Sequence, residues 1–326
     1  MTNAAATVEI VATGFGDPDV LKAVAINPRS PGRGEVEIQV RAAGVNHVDY
    51  KLYSDPEYMK SHGESAPTFP LRLGIEAAGV VTAVGADATG PAGPIVVGDE
   101  VIAYRISGAY ANTITVSASE VVPKPAQLSW EQAGAMMLDG TTASHVLGAV
   151  HARGGQTVLI HGAGGGVGLA AVQLAVLEGV RVIGTASEKN FDALRRYGAE
   201  PIKYGDGLLE RVRGIATGGI DAAIDLVGTK EAINVSLELV SDRSRIATIV
   251  AFDRAKEIGI QALGGAPGQD DEGIAIRNAA RLRLTAFAQA GAYDVVVSRS
   301  FPLAQAADAH HLLAKGGAGG RIVLIP

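Results

Sequence analysis

The alternation of apolar and polar positions changes texture near residue 125. Before it, short alternating or apolar runs recur, such as Glu35–Val40, Gly79–Val84 and Asp99–Ala103, separated by glycine and proline turns. Pro28, Pro31, Gly32 and Gly34 punctuate one connection, and Pro91, Gly93 and Pro94 another. Pro123 and Pro125 mark a boundary, and Ser129-Trp-Glu-Gln132 then has the spacing of a helix-opening capping box.

From there strand-like runs alternate with helical ones. The pattern predicts strands over Thr157–His161, Arg181–Thr185, Pro201–Tyr204, Ala222–Leu226, Arg245–Val250 and Ile258–Leu263. Helices are predicted over Val167–Glu178, Asn190–Tyr197, closed by Gly198, and Lys230–Val240. Six strands with helices between them fit an α/β, doubly wound parallel sheet. After a polar Gly/Pro stretch, Gly264–Gly273, come a helix, the strand Asp294–Ser300, the helix Leu303–Ala314 and a last strand Arg321–Ile325. This tail has the texture of the first block. The expected organisation is therefore a discontinuous domain of residues 1–125 and 266–326 around an inserted domain of residues 126–265.

Composition narrows the function. With 326 residues the chain can bury two cores, and 47% hydrophobic with 19% charged residues is ordinary for a folded cytoplasmic enzyme. A net charge of −6 with no basic block gives nucleic acid no phosphate-neutralising face. The absence of cysteine excludes disulfides, thiolate nucleophiles and Cys-ligated metals. The first eleven residues have neither the basic nor the long apolar segment of a signal peptide. Gly154–Leu177 lacks Asp, Glu, Lys and Arg, but its glycine cluster divides it into strand, turn and helix, which argues against a membrane span.

That cluster is the strongest local signal. Thr157-Val-Leu-Ile-His runs into Gly162-Ala-Gly164-Gly165-Gly166-Val167-Gly168 and then an apolar helix. Such a turn lets backbone N–H groups approach a pyrophosphate at the positive end of the helix. The G-x-G-x-x-G spacing is not met, since its last position falls on Val167. At the second strand end, Ile183 to Asn190, the tip is neutral, and Ser187 and Lys189 suit an adenosine 2′-phosphate. Lys189 has a solvated surface role as its alternative, and Glu188, pointed inward, would oppose a phosphate. NADPH is the expected cofactor.

Further motifs run along nearly the whole chain: Pro31-Gly-x-Gly34-Glu-Val36, Ala43-Gly-Val-Asn46-x-x-Asp49, Gly74-x-Glu76-x-x-Gly79-Val-Val81, Val97-Gly-Asp99-Glu-Val101, Gly108-Ala-Tyr110-Ala111, the glycine turn, and Gly319-Gly-Arg-Ile-Val-Leu-Ile-Pro326. Together, in this order, they resemble the zinc-independent medium-chain dehydrogenase/reductases of the quinone oxidoreductase type. The resemblance implies a GroES-like β-barrel plus a Rossmann domain, with the active site in the cleft between them. Zinc-dependent members have metal-ligating Cys and His where this chain has Asn46 and Ile75, so no metal is expected. His47 alone makes no site, and the remaining histidines lack ligand spacing.

Without a Lewis acid, hydride addition to a quinone or an α,β-unsaturated carbonyl is easier than reduction of a simple carbonyl. The resemblance places Asn46 near nicotinamide and substrate, and implies a cleft tyrosine, Tyr58, with Tyr53 and Tyr50 as rivals. It further implies cofactor contacts from Thr142, Gly165, Gly166, Val167, Tyr204, Val227, Ile249 and Val250. The expected protein is a cytoplasmic homodimer, pairing along the apolar edge Ile258–Leu263 and reducing a small-molecule electron acceptor, with no nucleic-acid or membrane partner. An enoyl-thioester reductase and a non-catalytic NADPH-binding protein are the alternatives.

Overall fold

The computed structural model describes residues 7–27, 29–61, 65–264, 271–316 and 318–326. Pro28 and most of the Gly264–Gly273 stretch lie outside them. Two compact units emerge, one of Met1–Leu138 with Arg281–Pro326 and one of Asp139–Ala280.

The first unit is β-rich. Its larger sheet runs in the order Val121–Pro123, Glu100–Tyr104, Glu76–Val84, Glu35–Val45, Arg321–Ile325, Val297–Pro302, and Thr113–Ser117 also pairs with Glu35–Val45. Alternation explains the long central strand: Val36, Ile38 and Val40 are at most 3% exposed, while Glu35, Glu37 and Gln39 between them reach towards solvent. The last strand pairs antiparallel with this same strand, Leu324 opposite Ala43, so distant parts of the chain share one core. A smaller sheet sets Thr7–Ala12 between Leu21–Ile26 and Leu71–Arg72. The predicted capping box is present: Gln132 N donates to Ser129 Oγ and Ser129 N to Gln132 Oε1.

The second unit is a six-stranded parallel sheet, with β1 Thr157–His161, β2 Arg181–Ala186, β3 Glu200–Lys203, β4 Ala222–Asp225, β5 Ile246–Thr248 and β6 Gln261–Ala262. Its order is β3-β2-β1-β4-β5-β6, the doubly wound arrangement the pattern predicted. Strand β1 lies at the centre, and Val158, Leu159 and Ile160 are fully buried, which accounts for its unbroken apolar run. Helix α1, Gly166–Leu177, follows directly. The uncharged stretch thus divides into strand, turn and helix, and among the described residues no helix is long and apolar enough to cross a membrane.

Several boundaries differ from expectation. The strand expected over Ile258–Leu263 is only Gln261–Ala262: Ile258 ends the helix Phe252–Ile258, and Gly259 follows at φ +72°. Most of the edge assigned to dimer pairing is therefore not strand. Arg245–Val250 shortens to Ile246–Thr248, because Arg245 closes a 3₁₀ turn and Thr248 folds Val250 back. Asp294–Ser300 becomes Val297–Pro302, and Leu303–Ala314 opens as a 3₁₀ turn before the helix Ala306–Lys315. The helix Met137–Ala149 escaped the pattern because its apolar residues are not confined to one face.

Candidate functional site

In the second unit the candidate cofactor residues other than Thr142 follow carboxyl ends of parallel strands, where doubly wound sheets take their ligands. Gly162–Val167 follows β1, Ser187 and Lys189 follow β2, Tyr204 follows β3, Val227 follows β4, and Ile249 and Val250 follow β5. Thr142, on the helix Met137–Ala149, is 7% exposed.

The turn after β1 has a shape that only glycine permits at two places. Gly162 stands at φ +78°, and a Cβ there would lie 2.6 Å from Val227 Cγ1. A Cβ on Gly168 would lie 2.7 Å from Ala163 Cα, so α1 packs against the turn backbone itself. Gly165 caps α1 without a side chain, and no acidic residue occupies the first turn. The leading N–H groups of a helix lack intrahelical acceptors, so they and the dipole face an anion unobstructed here. This bare backbone cradle fits a dinucleotide pyrophosphate.

A buried polar row fixes the tips around it. Thr185, His161, Asp225 and Thr248 are register neighbours across β2, β1, β4 and β5. Gly162 N donates to Thr185 Oγ1 at 3.3 Å, and Ala163 N to Thr185 O at 3.0 Å. Asp225 accepts Val227 N, Gly228 N and the Thr248 hydroxyl, while Thr248 Oγ1 accepts Val250 N and Ala251 N. The loops carrying Val227 and Val250 are thereby tied to one carboxylate. Burial lowers the His161 pKa to about 4, so its ring is neutral. At the β2 tip Ser187 is half-buried and Lys189 exposed, and Tyr204 is 55% exposed. Glu188 forms an ion pair with Lys203 at 3.4 Å.

In the first unit, Asn46 sits between the strand Glu35–Val45 and the helix His47–Ser54 and is 1% exposed. Arg321 Nη2 donates to Asn46 Oδ1 and, at 2.6 Å, to Glu76 Oε1. A guanidinium only donates, which fixes the amide with its oxygen toward Arg321 and Nδ2 toward Gly44 O at 3.2 Å. The second Glu76 oxygen accepts Met137 N and Leu138 N, both at 2.9 Å. The fully buried carboxylate is thus balanced by one cation and two amides.

Beside it runs a fully buried chain of four side chains. Tyr110 OH donates to Asp49 Oδ2 at 3.1 Å, so it accepts from His310 Nε2 at 3.0 Å. His310 Nδ1 is then an acceptor and takes the Tyr53 hydroxyl at 2.8 Å. Asp49 also accepts Asn46 N and Gly74 N, each at 3.1 Å. Burial drives the His310 pKa down to about 3 and the Asp49 pKa up to about 6, and raises those of both tyrosines. Tyr53 is therefore a core residue. Tyr58 begins the short helix Tyr58–Ser61 and is half-buried, and Tyr50 packs at an angle against Tyr53.

In the sequence, Asp49, Glu76, Tyr110 and Arg321 stand only as family markers, and His310 is one of the histidines without ligand spacing. No local spacing links residues from such distant segments.

The alcohol dehydrogenase GroES-like domain family matches residues 32–126, and the zinc-binding dehydrogenase family matches residues 197–324. The quinone oxidoreductase of Pseudomonas aeruginosa is 33% identical over 96% of this chain and 97% of its own. The chain belongs to the quinone oxidoreductase-like medium-chain dehydrogenase/reductase family. At that level it is an NAD(P)-binding oxidoreductase. Among solved members, Escherichia coli quinone oxidoreductase complexed with NADPH superimposes with a TM-score of 0.83 at 27% identity, over 98% of this chain and all of its own. The CurK enoyl reductase gives 0.84 at 26%, over 98% and 99% of the two chains.

Proposed function

We propose that the protein transfers hydride from NADPH to a quinone or an α,β-unsaturated carbonyl without a metal ion. The observation that carries this reading is the glycine-rich turn between β1 and α1, at the centre of a sheet whose other strand tips hold Ser187, Lys189 and Tyr204. Its backbone amides would hold the pyrophosphate, and Lys189 with the two hydroxyls would hold the 2′-phosphate. Bound there, the reduced nicotinamide supplies the hydride.

Metal-free chemistry is supported by the donors present. At the two positions where zinc members have ligands stand an amide, already bonded to Arg321, and the alkyl side chain of Ile75. Glu76, next to Ile75, is saturated by Arg321 and two backbone amides. Conjugation spreads the developing oxyanion over the acceptor, so hydrogen-bond donors suffice. Asn46 is 1% exposed and its side chain engages Gly44 O and Asp49, so we assign it to positioning beside the nicotinamide and acceptor. Tyr58 is assigned as the donor to the acceptor's carbonyl oxygen, and Thr142, Val227, Ile249 and Val250 as further cofactor contacts.

The likeness to an enoyl reductase keeps thioesters among the acceptors to be tested. NADPH and NADH oxidation are compared with 1,4-benzoquinone, 9,10-phenanthrenequinone, an alkenal and crotonyl-CoA. Turnover of a quinone or the alkenal with NADPH supports the proposal. Turnover of crotonyl-CoA alone would replace it with a thioester reductase, and binding without turnover would make the protein a cofactor-binding one.

A further inference from the structure

Where β2 ends, dinucleotide-binding folds that use NAD place a carboxylate that accepts the ribose 2′-hydroxyl and repels a 2′-phosphate. This chain has a carboxylate in that loop, Glu188, two residues past Ala186, the last residue of β2. The neighbouring strand answers it. Lys203 is the last residue of β3, its Cα is the register partner of Ala186, and its Nζ lies 3.4 Å from Glu188 Oε2.

We infer that the Glu188–Lys203 pair sets the cofactor preference: Lys203 neutralises the carboxylate of an NAD-type loop, so that it no longer repels a 2′-phosphate. The inference rests on the NADPH reading above. Both partners are more than half exposed, 60% for Lys203 and 67% for Glu188, so neither is a folding element and both can be changed without opening a core. Being solvated, the pair acts through its net charge. Loss of Lys203 leaves −1 beside the phosphate, and loss of the Glu188 charge leaves +1. Loss of both returns the loop to neutrality. Exposed charge pairs act modestly, so each single change should move affinity for a 2′-phosphorylated ligand about three- to tenfold, in opposite directions. The effect should shrink at high salt.

The test is calorimetric titration of the full-length protein with adenosine 2′,5′-bisphosphate and with 5′-AMP, which differ only in the 2′-phosphate. Lys203→Ala should weaken the bisphosphate about three- to tenfold, Glu188→Gln should tighten it, and the double variant should bind like wild type. Affinity for 5′-AMP should stay within about twofold throughout, less than the change expected for the bisphosphate. If wild type prefers the bisphosphate but the single variants do not move it, or the double variant does not return to wild type, the pair is a surface ornament and the inference fails alone. If wild type binds both ligands equally, the NADPH reading fails and takes the inference with it.

Discussion

Replacing Tyr110 with phenylalanine removes one oxygen from the centre of the buried chain Tyr53–His310–Tyr110–Asp49. That oxygen accepts from His310 Nε2 and donates to Asp49 Oδ2, at 3.0 and 3.1 Å. All four residues are fully buried, so water does not replace it freely. The substitution strands one donor on His310 and removes one donor to Asp49, which keeps Asn46 N, Gly74 N and the Asn46 side chain. An unsatisfied buried group costs about 1–3 kcal/mol, and a lost bond to a charged acceptor about 1.5–3. The expected destabilisation is therefore about 2.5–6 kcal/mol. For a unit of this size each kcal/mol moves the melting point roughly 2–4 °C, giving a fall of about 5–24 °C. Tyr53→Phe, which leaves only His310 Nδ1 without its donor, should cost about 1–3 kcal/mol. Tyr50→Phe is the control, because the half-buried Tyr50 takes no part in the chain, and its change should stay within about 0.5 kcal/mol. Urea denaturation and calorimetry of the three variants measure this order. A Tyr110→Phe protein within 0.5 kcal/mol of wild type would refute the bridging role assigned to its hydroxyl.

Acid should weaken the fold from about pH 6.5 downward. His310 and His161 have folded pKa values near 3 and 4 against 6.5 when exposed, so the unfolded chain binds more protons in that window and stability falls with pH. Asp49, raised from 3.8 to about 6, acts oppositely between those values but is one group against two; urea midpoints at pH 7.5, 6 and 5 should therefore decline. Gly168→Ala should displace the turn from α1 and weaken NADPH binding roughly tenfold or more by calorimetry, because the added carbon meets backbone that cannot swing away. Arg321→Met should destabilise the first unit by about 3–5 kcal/mol in urea, since it leaves the fully buried Glu76 without its cation.

The elements that carry a local rule were legible in the sequence. Strand β1 is buried on both faces and reads as one apolar run, and the glycines after it announce the turn because no other residue fits at Gly162 or Gly168. Ser129 and Gln132 satisfy each other within one helical turn, so their capping box could be read three residues apart. Where tertiary packing overrides local pattern, the reading failed. Met137–Ala149 lacks an amphipathic period because the residues around it are buried on more than one face. Ile258–Leu263 looked like a strand, yet a helix consumes its first residue and only two of its residues pair. The site divides in the same way. Residues after strand tips follow from topology, and Ser187, Lys189, Tyr204, Val227 and Val250 lie there. The partners that fix Asn46 and Asp49 come from positions as far along as His310 and Arg321, a juxtaposition set by strand pairing rather than spacing.

The central claim is metal-free, NADPH-dependent reduction, and one measurement bears on it most directly. Protein dialysed against a strong chelator is assayed for steady-state NADPH oxidation with 1,4-benzoquinone and an alkenal, with the chelator still present and NADH in parallel. The account predicts undiminished turnover with at least one acceptor, NADPH preferred over NADH by about ten- to a hundredfold in kcat/KM, the worth of one charge-assisted phosphate contact. Activity that vanishes with the chelator and returns with zinc, or equal use of the two cofactors, would contradict it.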